Sequence, residues 1–379
     1  MVIHPIERTT TPSAKPVGPV GFGRFFTDHL YLAEHDGDAN SGKGGWHGDR
    51  IVPRHTMPMD LAAGVLHYGL SIFEGLKAHR GVDGKLRIFR PDAHCRRFAQ
   101  SAARLCMPEV DQARFLESIR ALVHHDADWY PEAQGGALYI RPLVLATEPF
   151  LGVRASSEHL YAVMLSPVAS YFAGKDQGGL KLWLEREHTR AAKGGLGAAK
   201  TGANYAASLL AARRAQAQGY DQVLWMDANE HRWIEEAGTM NVFVRIGDRV
   251  ITPPLGGSIL AGVTRDSCLT LLRSWGVPVE ERPLSIDELA AAESRGELQE
   301  IWGTGTAAVM TPVDRLGWEN GHIDTKSREM SSRLRAALED IFSGRATDTR
   351  GWMVGVEHET APSPTPPAPP SRGGASASI

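Results

Sequence analysis

Apolar residues recur along this chain at two spacings. In residues 136–147, GALYIRPLVLAT, and 160–168, LYAVMLSPV, they are dense and rich in β-branched and aromatic types, which predicts strands. In residues 91–107, PDAHCRRFAQSAARLCM, Cys95, Phe98, Ala102 and Leu105 fall on one stripe, which predicts a helix. The second half has clearer punctuation. NYAASLLAARRAQAQG predicts a helix stopping at Gly219, and DQVLWMD a buried strand. MNVFVRIGDRVITPP predicts a hairpin turning at Gly247-Asp248. AGVTRDSCLTLLRSWG predicts a helix from Gly262 to Gly276, and QEIWGTGTAAVMTPV a strand entering a Gly/Thr turn.

Strands thus alternate with helices, an α/β pattern. At 379 residues the chain is long enough for two domains. The expected division is an unstructured arm over 1–20, a small α/β domain over 21–170, a linker over 171–180 (YFAGKDQGG breaks the pattern), a larger domain over 181–356, and an unstructured Pro/Ser/Ala-rich tail over 357–379.

Composition narrows the partners. Hydrophobic content of 42% and charged content of 22% are ordinary for a soluble globular protein. A net charge of −3 gives no general attraction to nucleic acid or anionic membrane, so neither is expected as a partner. No apolar run reaches bilayer length and the first residues lack a signal-peptide core, which leads to an expected cytoplasmic location. Cys95, Cys106 and Cys268 form no C-x-x-C pair, so no disulfide framework or metal site is expected, and all three read as buried small apolar residues.

The candidate chemistry centres on Lys200, in AAKTGANYAASL, a long amine among small residues. A solvated lysine at a loop–helix junction has the same appearance. So does a triphosphate-binding loop, because Gly194 stands at P-loop distance from Lys200-Thr201. The glycine that must precede the lysine is Ala199, however, and TGANYA replaces the start of the P-loop helix. The third use is an imine with a carbonyl, which needs a lysine able to lose its proton. If that carbonyl belongs to pyridoxal phosphate, a carboxylate must face the ring nitrogen, and the phosphate needs a cation and free N–H groups. WIEEAGTMN offers Glu235 and Glu236, which point to opposite faces of an extended segment, so one of them can reach the ring. LAGVTRD places Gly262, Val263 and Thr264 at a helix start, GTGTAA supplies Thr304 and Thr306, and Arg97 borders the apolar stripe of its helix.

The ordered segments HYGLSIFEGLKA, FRPDAHCRRF, LYIRPL, EPFLGV, SPVASYF, AKTGANYAASL, QVLWMD, EEAGTMN, TPPLGGSILAGVTRD and WGTGTAAVMTPV, over roughly residues 20–355, resemble the branched-chain amino-acid aminotransferases of pyridoxal-phosphate fold type IV. The resemblance implies a two-domain α/β (α+β) architecture whose larger C-terminal domain is barrel-like. It implies pyridoxal 5'-phosphate as cofactor, with Lys200 carrying the Schiff base and shuttling the α-proton. Glu236 would meet the pyridine nitrogen, Tyr205 the ring oxygen, and Arg97, Val263, Thr264 and Thr306 the phosphate. The implied reaction is reversible amino transfer from leucine, isoleucine or valine to 2-oxoglutarate.

On the substrate side, Tyr139 and Arg141 are two apart in a strand and share a face. By resemblance Tyr139 lies near the substrate, Arg141 meets the distal carboxylate of glutamate, and the backbone at Thr306-Ala307 holds the α-carboxylate. Phe22, Tyr68, Phe73, Tyr171, Thr239, Met240 and Ala307 match wall positions. Tyr68, Leu151 and Val153 would come from a neighbouring subunit, which implies a homodimer. Ala308 and Thr311 stand where some animal relatives carry a C-x-x-C pair, so a thiol switch there is impossible. A D-amino-acid aminotransferase or an aminodeoxychorismate lyase of the same fold type would share Lys200 and Glu236, but YIRP and GTMN argue against both. A non-catalytic binding protein would not need the lysine, glutamate and phosphate set together.

Overall fold

A computed structural model of the chain describes residues 3–16, 18, 20–37, 44–132, 135–169, 178–325 and 327–357. The expected linker falls mostly outside the described residues, as does almost all of the expected tail. The first sheet contains β1 (His29–Asp36), β2 (Gly45–Pro53), β3 (Ser71–Phe73), β4 (Leu76–Arg80), β5 (Leu86–Phe89), β6 (Ala137–Ala146) and β7 (Glu158–Val168). The second contains β8 (Leu180–Glu185), β9 (Gln222–Met226), β10 (Ile234–Ala237), β11 (Met240–Ile246), β12 (Arg249–Thr252), β13 (Val279–Glu281), β14 (Leu298–Gly305), β15 (Val309–Trp318) and β16 (Gly321–Asp324). A short pairing of β10 with β11 closes β10-β9-β8-β15-β14-β11 into a six-stranded barrel.

Alternation along the barrel strands decides what packs where. In β11, Val242, Val244 and Ile246 point into the barrel with Leu182, Leu224, Ile301 and Val313. Phe243, between them, points outward and stacks on its cross-strand partner Trp302, with ring centroids 5.4 Å apart. Helices α6 (Val263–Ser274) and α8 (Glu329–Ser343) cover that outer face, while α7 (Ile286–Ser294) adds Ile286, Leu289 and Ala292 to the apolar cluster of Val242 and Ile301. In the first half a short α1 (Gly64–Tyr68) precedes β3, and α2 (Pro91–Arg104) and α3 (Gln112–His125) bury Phe98, Phe115, Ile119 and Leu122 against Tyr31, Tyr161 and Ile140 of the first sheet.

Several expectations need correction. The N-terminal arm is docked rather than unstructured: Pro5 O accepts from Ile51 N–H at 3.0 Å and Glu7 N–H donates to Ile51 O at 2.9 Å, so the arm covers the open edge of β2. Strand β17 (Met353–Gly355), expected in the second domain, returns to pair with β5 of the first sheet. The helix expected over 204–219 is two helices, α4 (Gly202–Ala206) and α5 (Leu209–Ala217), because the Ser208 hydroxyl donates to Tyr205 O at 2.7 Å and competes with the helical ladder. Helix α2 ends at Arg104, so Leu105 is only partly buried and Cys106 is exposed, with a positive φ of 53°, outside the apolar stripe. Among the described residues no helix is long and apolar enough to cross a membrane.

Helix α8 ties the two halves together. Its Phe342 stacks on His79 of β4 at 4.3 Å, while its first turn is held to the barrel by Glu300 of β14. The fully buried Glu300 accepts the N–H groups of Met330 and Ser331, both at 2.9 Å, and the Ser331 hydroxyl. Replacing Glu300 with Ala strands those donors and removes an anion from a helix N-terminus. The expected loss is about 2–4 kcal/mol, read as a lower denaturant midpoint at unchanged slope.

Candidate active site

Lys200 sits on the seam between the sheets. Its N–H donates to Ser101 Oγ of α2 at 2.9 Å, its carbonyl accepts Phe73 N–H of β3 at 3.0 Å, and Thr201 bridges to Ile72. Asn204 holds the preceding loop by donating to Leu196 O and Ala199 O, both at 2.8 Å. The small residues of that loop serve packing: a Cβ on Gly197 would lie 2.1 Å from Ser258 O. The Lys200 ammonium donates to Tyr205 Oη at 2.8 Å and lies 4.9 Å from the Phe73 ring centroid. Burial, with help from Arg97, pushes its pKa down to about 8, so the amine gives up its proton far more readily than a solvated lysine.

A cavity of about 770 Å³ opens around this amine. Glu236 lines it, whereas Glu235 points away and accepts the Ser258 hydroxyl. Both are buried, and strand alternation separates them as the sequence implied. Burial pushes Glu236 up to about 7, and the Arg190 guanidinium, 2.6 Å away, pulls against that rise. Asn241 Nδ2 donates to Glu236 at 3.0 Å and to Leu260 O at 2.9 Å.

The anion end is also assembled. Gly262 is the N-cap of α6 and no side chain caps it, so Thr264 faces the cavity instead of serving as the cap. Val263, Thr264 and Thr306 line the cavity with Arg97. Arg97 does not float free: Nε and Nη2 donate to Glu74 at 2.7 and 2.8 Å, and Nη1 donates to Ala261 O at 3.0 Å. Burial works to raise the Glu74 carboxyl, but Arg97 and His94 hold it well below the usual carboxylate range. Sequence reasoning missed Glu74 and Arg190; an acid inside the apolar run SIFEGL was a readable signal, whereas Arg190 lies in an aperiodic loop.

Of the expected substrate residues, Phe22, Phe73, Tyr139, Arg141, Thr239, Met240, Thr306 and Ala307 all line this cavity. Arg141 lies 4.7 Å from the Phe73 ring centroid and donates to Tyr139 Oη at 3.3 Å. Gly75 makes room for Tyr139, since a Cβ there would lie 1.9 Å from its hydroxyl. Tyr68, Leu151 and Val153 do not reach the cavity of their own chain; they are exposed, and the Tyr68 hydroxyl donates to Leu151 O. Tyr171 lies outside the described residues.

The donor set fits pyridoxal phosphate. A desolvated amine, a buried carboxylate and an uncapped helix start converge on one cavity, whose wall also carries the buried Thr304 and Thr311 hydroxyls without protein partners among the described residues. The only His/Asp cluster of metal-ligand type among those residues, His29, His125 and Asp126, involves none of the cavity residues. In it Asp126 and Thr9 N–H already engage both His29 nitrogens.

Residues 71–316 match the amino-transferase class IV family. Branched-chain-amino-acid transaminase 1 of Bacillus subtilis (strain 168) is 44% identical over 92% of this chain and 98% of its own length. The T.th. branched-chain amino acid aminotransferase with pyridoxamine 5'-phosphate superposes with a TM-score of 0.67 at 28% identity, over 81% of this chain and 96% of that one. The same T.th. enzyme complexed with N-(5'-phosphopyridoxyl)-L-glutamate gives a TM-score of 0.67 at 25% identity, over 86% and 98%. With fold, cavity and sequence in agreement, the chain belongs to the class IV aminotransferases, within the branched-chain-amino-acid aminotransferase family.

Proposed function

We propose that this protein transfers the amino group of leucine, isoleucine or valine to 2-oxoglutarate, reversibly, with pyridoxal 5'-phosphate as cofactor. The observation that carries this reading is the convergence of Lys200 and Glu236 on the cavity that opens at the start of α6. The relatives' names and the cofactor forms in the T.th. structures support it. When bound, pyridoxal phosphate supplies a carbonyl for amines and an electron-poor ring that spreads charge from the substrate α-carbon.

Each residue then has a task. Arg97, Val263, Thr264 and Thr306 hold the phosphate, with helix N–H groups and a guanidinium as donors. Glu236 faces the pyridine nitrogen and keeps its proton in place. Tyr205 meets the ring oxygen and orients the Lys200 amine. Lys200, poised near neutral pH, removes a proton from the α-carbon and returns it. The Thr306-Ala307 backbone holds the α-carboxylate, and Phe22, Phe73, Tyr139, Thr239 and Met240 exclude water from the side chain. Arg141 receives the distal carboxylate of glutamate. Exposed Tyr68, Leu151 and Val153 complete the site of a second copy in a homodimer, and the enzyme works in the cytoplasm.

The direct test is glutamate formation from L-leucine and 2-oxoglutarate by the purified protein with pyridoxal phosphate; no glutamate would refute the assignment. Borohydride reduction followed by peptide mapping should place the label on Lys200, and Lys200→Ala should bind cofactor without labelling and lose activity by many orders of magnitude. A label on Lys77 or Lys193 would refute the role of Lys200.

Glu236→Gln should slow α-proton removal strongly because it loses a charge-assisted bond. Glu235→Gln should change it little, and equal single-turnover rates in the two variants would contradict the face assignment.

Arg141→Ala should separate the two half-reactions. Removing one partner of a buried charge pair costs about 3–5 kcal/mol, or roughly two to four decades in kcat/KM for glutamate. Leucine, which has no distal charge, should be spared. An equal loss for both amino acids in single-turnover kinetics would exclude the dual-substrate role.

A further inference from the structure

Lys77 has no place in the scheme above, yet its position is specific. It stands on β4 directly opposite Tyr139 of β6, so the two side chains leave the first sheet on the same face. Its buried ammonium crosses the seam and donates to Ala307 O at 2.8 Å. Ala307 belongs to the turn that joins β14 to β15. Lys77 is not in the wall of the main cavity. With His79, Phe89, His94, Thr264, Thr306, Val309 and Phe342 it lines a small void on the other side of that turn, whereas Ala307 and Ala308 line the main cavity.

This placement has a geometric consequence. In a trans peptide the carbonyl and the following N–H point in opposite directions. With the Ala307 carbonyl drawn toward Lys77 behind the turn, the Ala308 N–H is directed to the front, toward the main cavity. Among the described residues that N–H has no acceptor in the protein. The next residue, Val309, has a φ of 58°, a conformation costly for a β-branched side chain and sustained only where its surroundings enforce it. A charged hydrogen bond from the opposite domain is such an enforcing contact.

We propose that Lys77 is a positioning residue for the substrate α-carboxylate: it pins the Ala307 carbonyl behind the turn so that the Ala308 N–H joins the Thr306-Ala307 backbone in meeting the carboxylate. This rests on the reading of the cavity as an amino-acid site. The α-carboxylate is common to leucine and glutamate, so Lys77 acts in both half-reactions, whereas Arg141 acts in one.

The test uses the holoenzyme and two ligands with the carbon skeleton of leucine and no amino group, 4-methylpentanoate and 4-methylpentanamide, titrated against the cofactor's absorbance. The wild type should prefer the acid. Lys77→Met should lose that preference by roughly tenfold to a hundredfold, the scale of one hydrogen bond involving a charged group, with amide affinity unchanged. KM for leucine and glutamate should rise together, more than kcat falls. Lys77→Arg, which keeps donor and charge, should restore most of the acid preference. If the Met variant folds poorly, Lys77→Gln gives the same comparison with a donor and no charge, and an intermediate loss is expected. An unchanged acid-to-amide ratio in the Met or Gln variant, or unequal effects on leucine and glutamate, would overturn the proposal. Failure of the underlying reading looks different: the wild type would bind neither ligand.

Discussion

The structure depends on the way the backbone at Lys200 is pinned between two sheets. Exclusion of water is the main force that moves the Lys200 amine toward a reactive protonation state, and a loop cannot exclude water alone. Here the loop is stitched to the first sheet through Phe73 N–H, Ile72 and the Ser101 hydroxyl, while the chain that follows enters the barrel domain. Separating the sheets would solvate the amine and return it toward its ordinary pKa. The contacts that hold the domains together, including α8 against both β4 and β14, therefore act on the chemistry as well as on stability.

Charge in the cavity follows one arrangement. Arg97 is matched by Glu74 and Arg190 by Glu236. Each pair leaves one member facing the cavity in a fixed orientation without adding net charge. Lys200 and Arg141, which line the cavity, have no carboxylate in salt-bridge contact among the described residues. Cations left without buried counter-ions are unfavourable in the empty protein and become favourable once anions arrive. A phosphate together with substrate carboxylates satisfies that excess; a neutral ligand would not.

Much of this was legible in the sequence, for physical reasons that differ by element. Dense runs of β-branched and aromatic residues marked β6, β7, β9 and β11, because a strand buried on both faces reads as a nearly continuous apolar segment. The alternation of side chains along an extended segment separated Glu235 from Glu236 and put Tyr139 and Arg141 on one face. Helix punctuation located α6 through its flanking glycines. The breaks were less visible: Ser208 splits the helix after Lys200 through a side-chain bond that no period reports. Partners distant in sequence were invisible for another reason. Glu74 and Arg97, or Arg190 and Glu236, meet only because of the fold, and a single sequence carries no record of such pairs. Lys77 received no role from the sequence for the same reason: its partner is a carbonyl 230 residues away.

The hardest demand on the site is to accept an aliphatic side chain and a carboxylate in one space. In the role proposed for Arg141, a single residue would serve both. Its guanidinium is held over the Phe73 ring at 4.7 Å and near Tyr139 at 5.4 Å, and its Nε is buried without a hydrogen-bond partner. An aromatic face stabilises a cation by roughly 0.5–2 kcal/mol, enough to keep it folded against the wall and too little to compete with a carboxylate. With leucine bound, the same rings supply apolar wall and the guanidinium stays on them. With glutamate bound, the free N–H groups would have an anion to meet. A permanent carboxylate partner for Arg141 would remove this choice, and among the described residues none is in salt-bridge contact with it.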